Sequence, residues 1–199
     1  MKKIVLAFTL IATMTATAMA QTARQVLDKA AQTVTSESGV MANFKLTNSV
    51  GSTSGTIAIK GRKFHATTPQ AIVWYDGKTQ WTYMKNNDEV NITTPTAAQQ
   101  QAINPYTFIN MYRQGYKYTM NKTTSDYTVH LTAESSSKKI QEMFITIDKK
   151  SYHPTQVKIL QGKKWTTFDV SGIKKQPIAD ATFHFSQKDY PSAEVIDLR

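Results

Sequence analysis

Four histidines, His65, His130, His153 and His184, are where metal or acid–base chemistry would first be sought in this chain, and their spacing offers neither. No two stand at H-x-H or H-x-x-x-H, the separations that bring two imidazoles together on a strand or a helix. There is no cysteine to complete a ligand set. His130 and His184 alternate out of phase with apolar neighbours, which places them on the solvent side of strands. The acidic residues are few and sit mostly in turn-like sequence, as Asp76, Asp88-Glu89 and Asp148 do, so a paired-carboxylate glycosidase has little to build with. G-x-S-x-G, the P-loop and the glycine-rich dinucleotide fingerprint are all missing. The expectation is a protein that is not an enzyme and uses no cofactor or metal. An exported enzyme stays open as an alternative, since fold does not fix function.

Large amphipathic and apolar groups are abundant instead: Trp74, Trp81 and Trp165, nine Tyr, eight Phe and eight Met. Most are expected to fill a core. Along Ile72–Tyr75 and Trp81–Met84, however, both faces carry large apolar side chains, so part of one face needs a cover. A curved sheet with an apolar concave face under a helical cover would hold a hydrophobic ligand.

The elements that must position these groups are mostly strands. Ile57 and Ile59 alternate within Thr56–Lys60. Ile72–Tyr75 and Gln80–Met84 flank Asp76-Gly77, a hairpin signal. Tyr127, Val129, Leu131 and Ala133 share one face of a further strand. Met143/Ile145/Ile147, Val157/Ile159, Phe168/Val170 and Phe183/Phe185 continue the alternation. About nine to eleven strands of roughly five or six residues fit, and a single sheet that large must curl. Two helices interrupt them. Thr22-Ala23-Arg24-Gln25 has the form of a capping box, with Val26, Leu27, Ala30, Ala31 and Val34 at helical spacing behind it. Asn104-Pro105 to Gly115 has Asn at the cap, Pro at the first position and Gly past the end, with Phe108, Ile109, Met111 and Tyr112 as an apolar face. A short Ala/Gln segment from Ala97 to Ile103 precedes it. The fold class expected is mainly β: one strongly curved antiparallel sheet, an unclosed β-barrel, covered by a lid of short α-helices.

The first twenty residues read as a cleaved secretory signal peptide. Lys2 and Lys3 are followed by an apolar run from Ile4 to Ala12 and by Ala18-Met19-Ala20 before Gln21. Residues 21–199 then form a single exported domain, and with no cysteine it has neither disulfides nor a lipidated N-terminal Cys. The 24 Lys+Arg less Lys2 and Lys3 leave 22 against 14 Asp+Glu, a net +8. The paired lysines at 138–139, 149–150, 163–164 and 174–175 are scattered, as turn and edge decoration is. The alternative is attraction to an anionic membrane surface or an acidic partner.

Asp76-Gly77-Lys78-Thr79-Gln80-Trp81-Thr82-Tyr83 resembles the D-G-x-x-x-W-x-Y hairpin of the periplasmic outer-membrane lipoprotein carrier proteins, the LolA-type family. Asn104-Pro105-Tyr106 is similar to that family's lid helix, and Gly55-Thr56-Ile57-Ala58-Ile59-Lys60 to its early G-x-L-x-V-K strand. Ala181–Phe185 followed by Val195-Ile196-Asp197 resembles its terminal F-x-F strand and tail. The resemblance implies a periplasmic carrier, working as a monomer without nucleic acid. Such a carrier takes the acyl chains of lipoproteins from an inner-membrane ABC lipoprotein-release complex to an outer-membrane acceptor. On that basis Ile57, Ile59, Phe64, Trp74, Trp81 and Tyr83 are expected to line the acyl cavity, with Tyr106, Phe108, Ile109, Met111 and Tyr112 on the lid. One departure stands out. The family strand continues K-R-P, its Arg holding the lid shut, whereas here the segment is Lys60-Gly61-Arg62-Lys63, and Arg62 takes that role only after a one-residue shift that reverses its face. A carrier of the same fold for a glycolipid or lipid-linked pigment, and an exported lipid-binding sensor, are the other readings.

Overall fold

A computed structural model describes residues 21–96, 99 and 110–199. The expected signal peptide and most of the expected lid helix therefore lie outside the described residues. The described residues open with helix α1 (Ala23–Val34). Six strands follow: β1 (Val40–Asn48), β2 (Gly51–Lys60), β3 (Lys63–Thr67), β4 (Ala71–Tyr75), β5 (Gln80–Met84) and β6 (Glu89–Thr93). After a 3-10 turn at Met111–Arg113 come β7 (Tyr116–Lys122), β8 (Asp126–Ala133), β9 (Ile140–Asp148), β10 (Pro154–Gln161) and β11 (Lys164–Lys175). Two more 3-10 turns, Asp180–Phe183 and Gln187–Asp189, lead to β12 (Glu194–Asp197).

The twelve strands of the described residues form one sheet in the order β12-β6-β5-β4-β3-β2-β1-β11-β10-β9-β8-β7. Two antiparallel meanders, β1–β6 and β7–β11, are joined by the β1·β11 pair. The edge strands β12 and β7 do not pair with each other, so the barrel stays open. The expected antiparallel sheet is thus present, with one exception: β12 runs parallel to β6, Glu194 opposite Glu89 and Asp197 opposite Ile92. Phe183 and Phe185 are not on a strand, contrary to expectation. Phe183 ends a 3-10 turn and packs with Ala58 and Ile178, so the spacing of two serves burial without backbone pairing.

The hand of the curvature is set at Gly55. A β-carbon there would lie 2.0 Å from the Thr67 carbonyl oxygen and 2.9 Å from Phe44 Cζ. Strand β3 therefore rolls over β2 toward the face that carries Phe44, and only glycine permits the approach. That face is the concave one, and α1 packs into it. The Thr22–Gln25 capping box forms as expected, Gln25 N donating to Thr22 Oγ1 (3.2 Å) and Thr22 N to Gln25 Oε1 (2.9 Å). Alone, a helix this short is marginal. Burial of Val26, Leu27 and Val34, each at most 5% exposed, contributes about 2 kcal/mol apiece. Below α1 lies the main core: Val129, Leu131, Met143, Ile145, Ile147 and Ile159, with Tyr112 and Tyr116. Asp76-Gly77 turns β4 into β5 as expected. The Asp76 carboxylate accepts from Lys78 N and Thr79 N at 2.8 and 2.7 Å, and Gly77 supplies a φ of 103°.

Candidate functional site

Cross-strand register assigns every strand residue to a face. Val129 stands opposite Ile145, Ile145 opposite Val157, Val157 opposite Phe168, Phe168 opposite Leu46 and Leu46 opposite Thr53. The parallel row runs Val170–Phe44–Gly55. Continuing across, Ile57 faces Ala66 and Ala66 faces Val73, while Ile59 faces Phe64 and Phe64 faces Tyr75. All of these lie on the concave face. Two buried clusters bracket it: the core under α1, and the trio Ile59, Phe64 and Tyr75. Between them Phe44, Leu46 and Val170 are only half-buried, despite sitting in the middle of a twelve-stranded sheet.

An open cavity of about 500 Å³ borders this stretch, but six of its nine lining residues, Asn43, Lys45, Ser54, Thr56, Asp169 and Ser171, are in register with one another on the convex face, with Phe44, Gly55 and Val170 between them. Toward β5 and β6 the concave face turns polar, with Gln80, Thr82, Asn91 and Thr93 in register. Gln80 Nε2 donates to Thr82 Oγ1 at 3.2 Å, while Gln80 Oε1 is buried without a hydrogen-bond partner. The site is an apolar trough with a polar end.

The six residues expected to line one cavity do not share a face. Ile57, Ile59 and Phe64 are concave, and Ile59 and Phe64 are fully buried there. Trp74 pairs with His65 and Trp81, and Tyr83 lies two residues beyond Trp81, which puts all three on the convex face. The physical reason is strand phase: Phe64 opposes Tyr75, so the adjacent Trp74 must point the other way. The convex aromatics are covered by the C-terminal segment. Trp74 lies 5.6 Å from the Phe185 ring and 5.5 Å from Tyr190; Tyr83 is 4.7 Å from Tyr190 and Trp81 5.8 Å from His184. Val90 and Phe183, each 0% exposed, complete this second packing layer.

Of the expected lid residues, Tyr106, Phe108 and Ile109 lie outside the described residues. Met111 and Tyr112 form a 3-10 turn that belongs to the core beneath α1. The helical cover among the described residues is α1 and such turns. The Tyr112 hydroxyl donates to Asp28 Oδ1 of α1, and burial, followed by the Asp28 carboxylate, pushes its pKa well above the usual tyrosine value. Arg113 Nη2 reaches the same oxygen at 3.2 Å. Arg62 sits exposed in the two-residue Gly61-Arg62 turn between β2 and β3. Its flanking lysines bind the C-terminal segment: Lys60 Nζ to Asp180 Oδ1 at 2.9 Å and Lys63 Nζ to Asp180 Oδ2 at 3.1 Å. Those two ammonium groups hold the Asp180 carboxyl below its ordinary value.

No group of three metal-ligating side chains occurs among the described residues. His65 is stacked on Trp74 at 5.5 Å, and burial lowers its pKa. No helix of the described residues is long and apolar enough to cross a membrane. The trough residues that sequence reasoning passed over are Phe44 and Leu46. The alternation Val40, Ala42, Phe44, Leu46 was there to be read as a strand, and its phase matches that of Ile57.

A family model described as outer membrane lipoprotein carrier protein LolA matches residues 13–163. No curated protein matches the sequence. Among solved structures, an uncharacterized conserved protein from Thermus thermophilus superposes with a TM-score of 0.59 at 12% identity, over 89% of this chain and 99% of that one. A LolA superfamily protein from Nitrosomonas europaea gives 0.46 at 12% identity, over 83% of this chain and 99% of that one. The Mycobacterium tuberculosis lipoprotein LppX gives 0.44 at 11% identity, over 79% and 99%.

Proposed function

The chain belongs to the outer membrane lipoprotein carrier protein family, and from that premise we propose that it is a non-enzymatic periplasmic carrier of acyl chains. Lipoproteins received from an inner-membrane ABC release complex and passed to an outer-membrane acceptor are its cargo. The observation that carries the reading is the half-buried concave row of Phe44, Leu46 and Val170 beside Gly55, an apolar surface that belongs to neither core cluster among the described residues. Each methylene moved from water onto such a surface gains about 0.8 kcal/mol, so a long acyl chain has on the order of 10 kcal/mol to gain. A trough open along one side recovers part of that. Partial recovery suits a carrier, because cargo held by a fully closed pocket would not leave without an energy source. The polar end at Gln80, Thr82 and Asn91 suits the head of an amphipath whose tail lies along the apolar rows.

A photoreactive residue at Leu46, with Thr47 on the opposite face as control, tests this in cells. The expected result is lipoprotein adducts at Leu46 and none at Thr47. Adducts only with free glycolipid would transfer the carrier role to that cargo. Absence of any acylated adduct at Leu46 would refute it.

A further inference from the structure

Three hairpin turns stand side by side at one end of the sheet: Asn48–Gly51 between β1 and β2, Gln161–Lys164 between β10 and β11, and residues 134–139 between β8 and β9. The pairings Asn48 opposite Thr166 and Gln161 opposite Ile140 make them neighbours. Helix α1 is tied to the opposite end. There Tyr127 and Tyr152 hydroxyls donate to Gln21 Oε1, Thr33 Oγ1 donates to the Tyr152 carbonyl and Lys175 Nζ to the Gln32 carbonyl. The three turns thus rim the end of the trough that the helix does not occupy.

At the tip of the first turn Val50 is 90% exposed, the most solvent-exposed of the large apolar side chains among the described residues. It is held there: Asn48 Oδ1 accepts from Val50 N at 2.9 Å and from Gly51 N at 3.2 Å, fixing the turn that points it outward. Beside it Lys163, Lys164 and Lys139 are exposed, against a single acid, Glu134, in the same three turns. One step inward on the convex face, Leu160 pairs with Trp165, with the Lys158 ammonium 4.9 Å over the indole and the Phe144 ring 5.9 Å away. An aliphatic tip reaching toward the acyl boundary, with lysines and a Trp behind it at headgroup level, matches the layering of an anionic membrane surface.

We propose that this rim is a docking surface for an anionic phospholipid membrane. Val50 enters the headgroup boundary while Lys163, Lys164 and Lys139 meet lipid phosphates. A protein partner fits less well, because protein hot spots gather around aromatic or Arg anchors in pockets, whereas the most exposed group here is one aliphatic side chain on a convex tip. Two of the four lysine pairs of the sequence, 138–139 and 163–164, thereby acquire a job at one location. The proposal goes beyond the carrier reading and does not depend on what the trough holds.

Flotation of the purified, delipidated protein with vesicles of phosphatidylethanolamine and phosphatidylglycerol tests it, with phosphatidylcholine vesicles as the neutral arm. The wild type should float with the anionic vesicles only. It should be released as salt rises from about 0.1 M to about 1 M, where the Debye length shrinks from ~10 to ~3 Å. Each lysine removed should lower the partition coefficient about fivefold, so K163Q/K164Q loses roughly 25-fold. V50S should lose about five- to tenfold at any salt, because its contribution is apolar. K78Q/K150Q, at the opposite end of the sheet, should stay within about twofold of wild type. All these side chains are exposed, and a thermal melt of each variant confirms the fold. No flotation with anionic vesicles, flotation unaffected by V50S and K163Q/K164Q, or equal loss in K78Q/K150Q would each overturn the proposal. So would retention by immobilised polyglutamate without vesicle binding, which would assign the lysines to an acidic polypeptide.

Discussion

The two faces of the sheet can be separated by one pair of substitutions, Phe44→Asn in the concave trough and Tyr190→Ala in the C-terminal segment. Phe44 is half-buried and belongs to neither flanking cluster, so its loss should cost the empty protein less than about 1 kcal/mol. A bound acyl chain, by contrast, loses contact with about three methylenes there. At about 0.8 kcal/mol each this is roughly 2.4 kcal/mol, or about a 50-fold weaker Kd. Tyr190 has the opposite profile. It packs on Tyr83 at 4.7 Å, Trp74 at 5.5 Å and Phe185 at 5.7 Å. At about 0.5–1.5 kcal/mol per ring pair, Tyr190→Ala should destabilise the protein by about 3 kcal/mol and loosen the segment that follows β11. Acyl affinity should stay within about threefold, because no concave side chain changes. Displacement of a fluorescent fatty-acid analogue reads the first quantity and urea unfolding the second. If Tyr190→Ala weakened ligand binding as much as Phe44→Asn while the C-terminal segment stayed protected from protease, the cargo would lie on the convex aromatics and the face assignment would be refuted.

Three further outcomes follow from single contacts. Gly55→Ala places a β-carbon 2.0 Å from the Thr67 carbonyl oxygen; the strands must part, costing about 1–3 kcal/mol in a urea midpoint assay and flattening the trough, so acyl affinity falls with stability. Asp28→Ala leaves the buried Tyr112 hydroxyl without its acceptor and should cost about 1–3 kcal/mol, visible as loss of hydrogen-exchange protection in α1. His65 is held neutral by burial, its folded pKa below the ordinary 6.5. The unfolded chain therefore binds the proton first, and His65 costs stability as pH falls through 6.5 toward the folded value. His65→Phe should remove that slope from a pH series of melting curves, and an unchanged slope would assign it elsewhere.

How far the sequence could be read depended on whether a strand had one apolar phase or two. Strands β8 and β9 have one each, Val129/Leu131 and Met143/Ile145/Ile147, and alternation alone identifies their buried face. The Thr22–Gln25 cap and the Asp76-Gly77 hairpin are local devices complete within a few residues, so they too were legible. On β4 and β5 both phases are large and apolar: Val73 and Tyr75 against Ile72 and Trp74, Tyr83 against Met84. Nothing local decides which side is concave there. The decision is made by the segment after β11, which brings Phe183, Phe185 and Tyr190 onto the Trp74 side from far along the chain. Strand β1 carries the same alternation, Ala42, Phe44 and Leu46 against Asn43, Lys45 and Thr47, and what no local signal supplies there is its partner β11, more than a hundred residues away, which puts Phe44 beside Val170.

The open stretch of the trough follows from the lengths of its covers. A sheet of twelve strands is about 53 Å wide at ~4.8 Å per strand. Helix α1, with 12 residues, is about 18 Å long and spans about four strands. Packed over the core of β7–β10, it meets β11 at the Lys175 end, where the ammonium donates to the Gln32 carbonyl, and leaves Phe44, Leu46 and Val170 outside its core. The C-terminal segment covers β3–β6, but on the convex side, where Trp74 and Tyr83 point. Its ties to Lys60 and Lys63 keep it there. The stretch of the concave surface that carries Phe44, Leu46 and Val170 is therefore left half-open between the two covers. Exposed apolar surface of this kind is a liability unless something occupies it. A longer α1 would have filled the trough with the protein's own side chains, and the shortness of the helix is what leaves room for cargo.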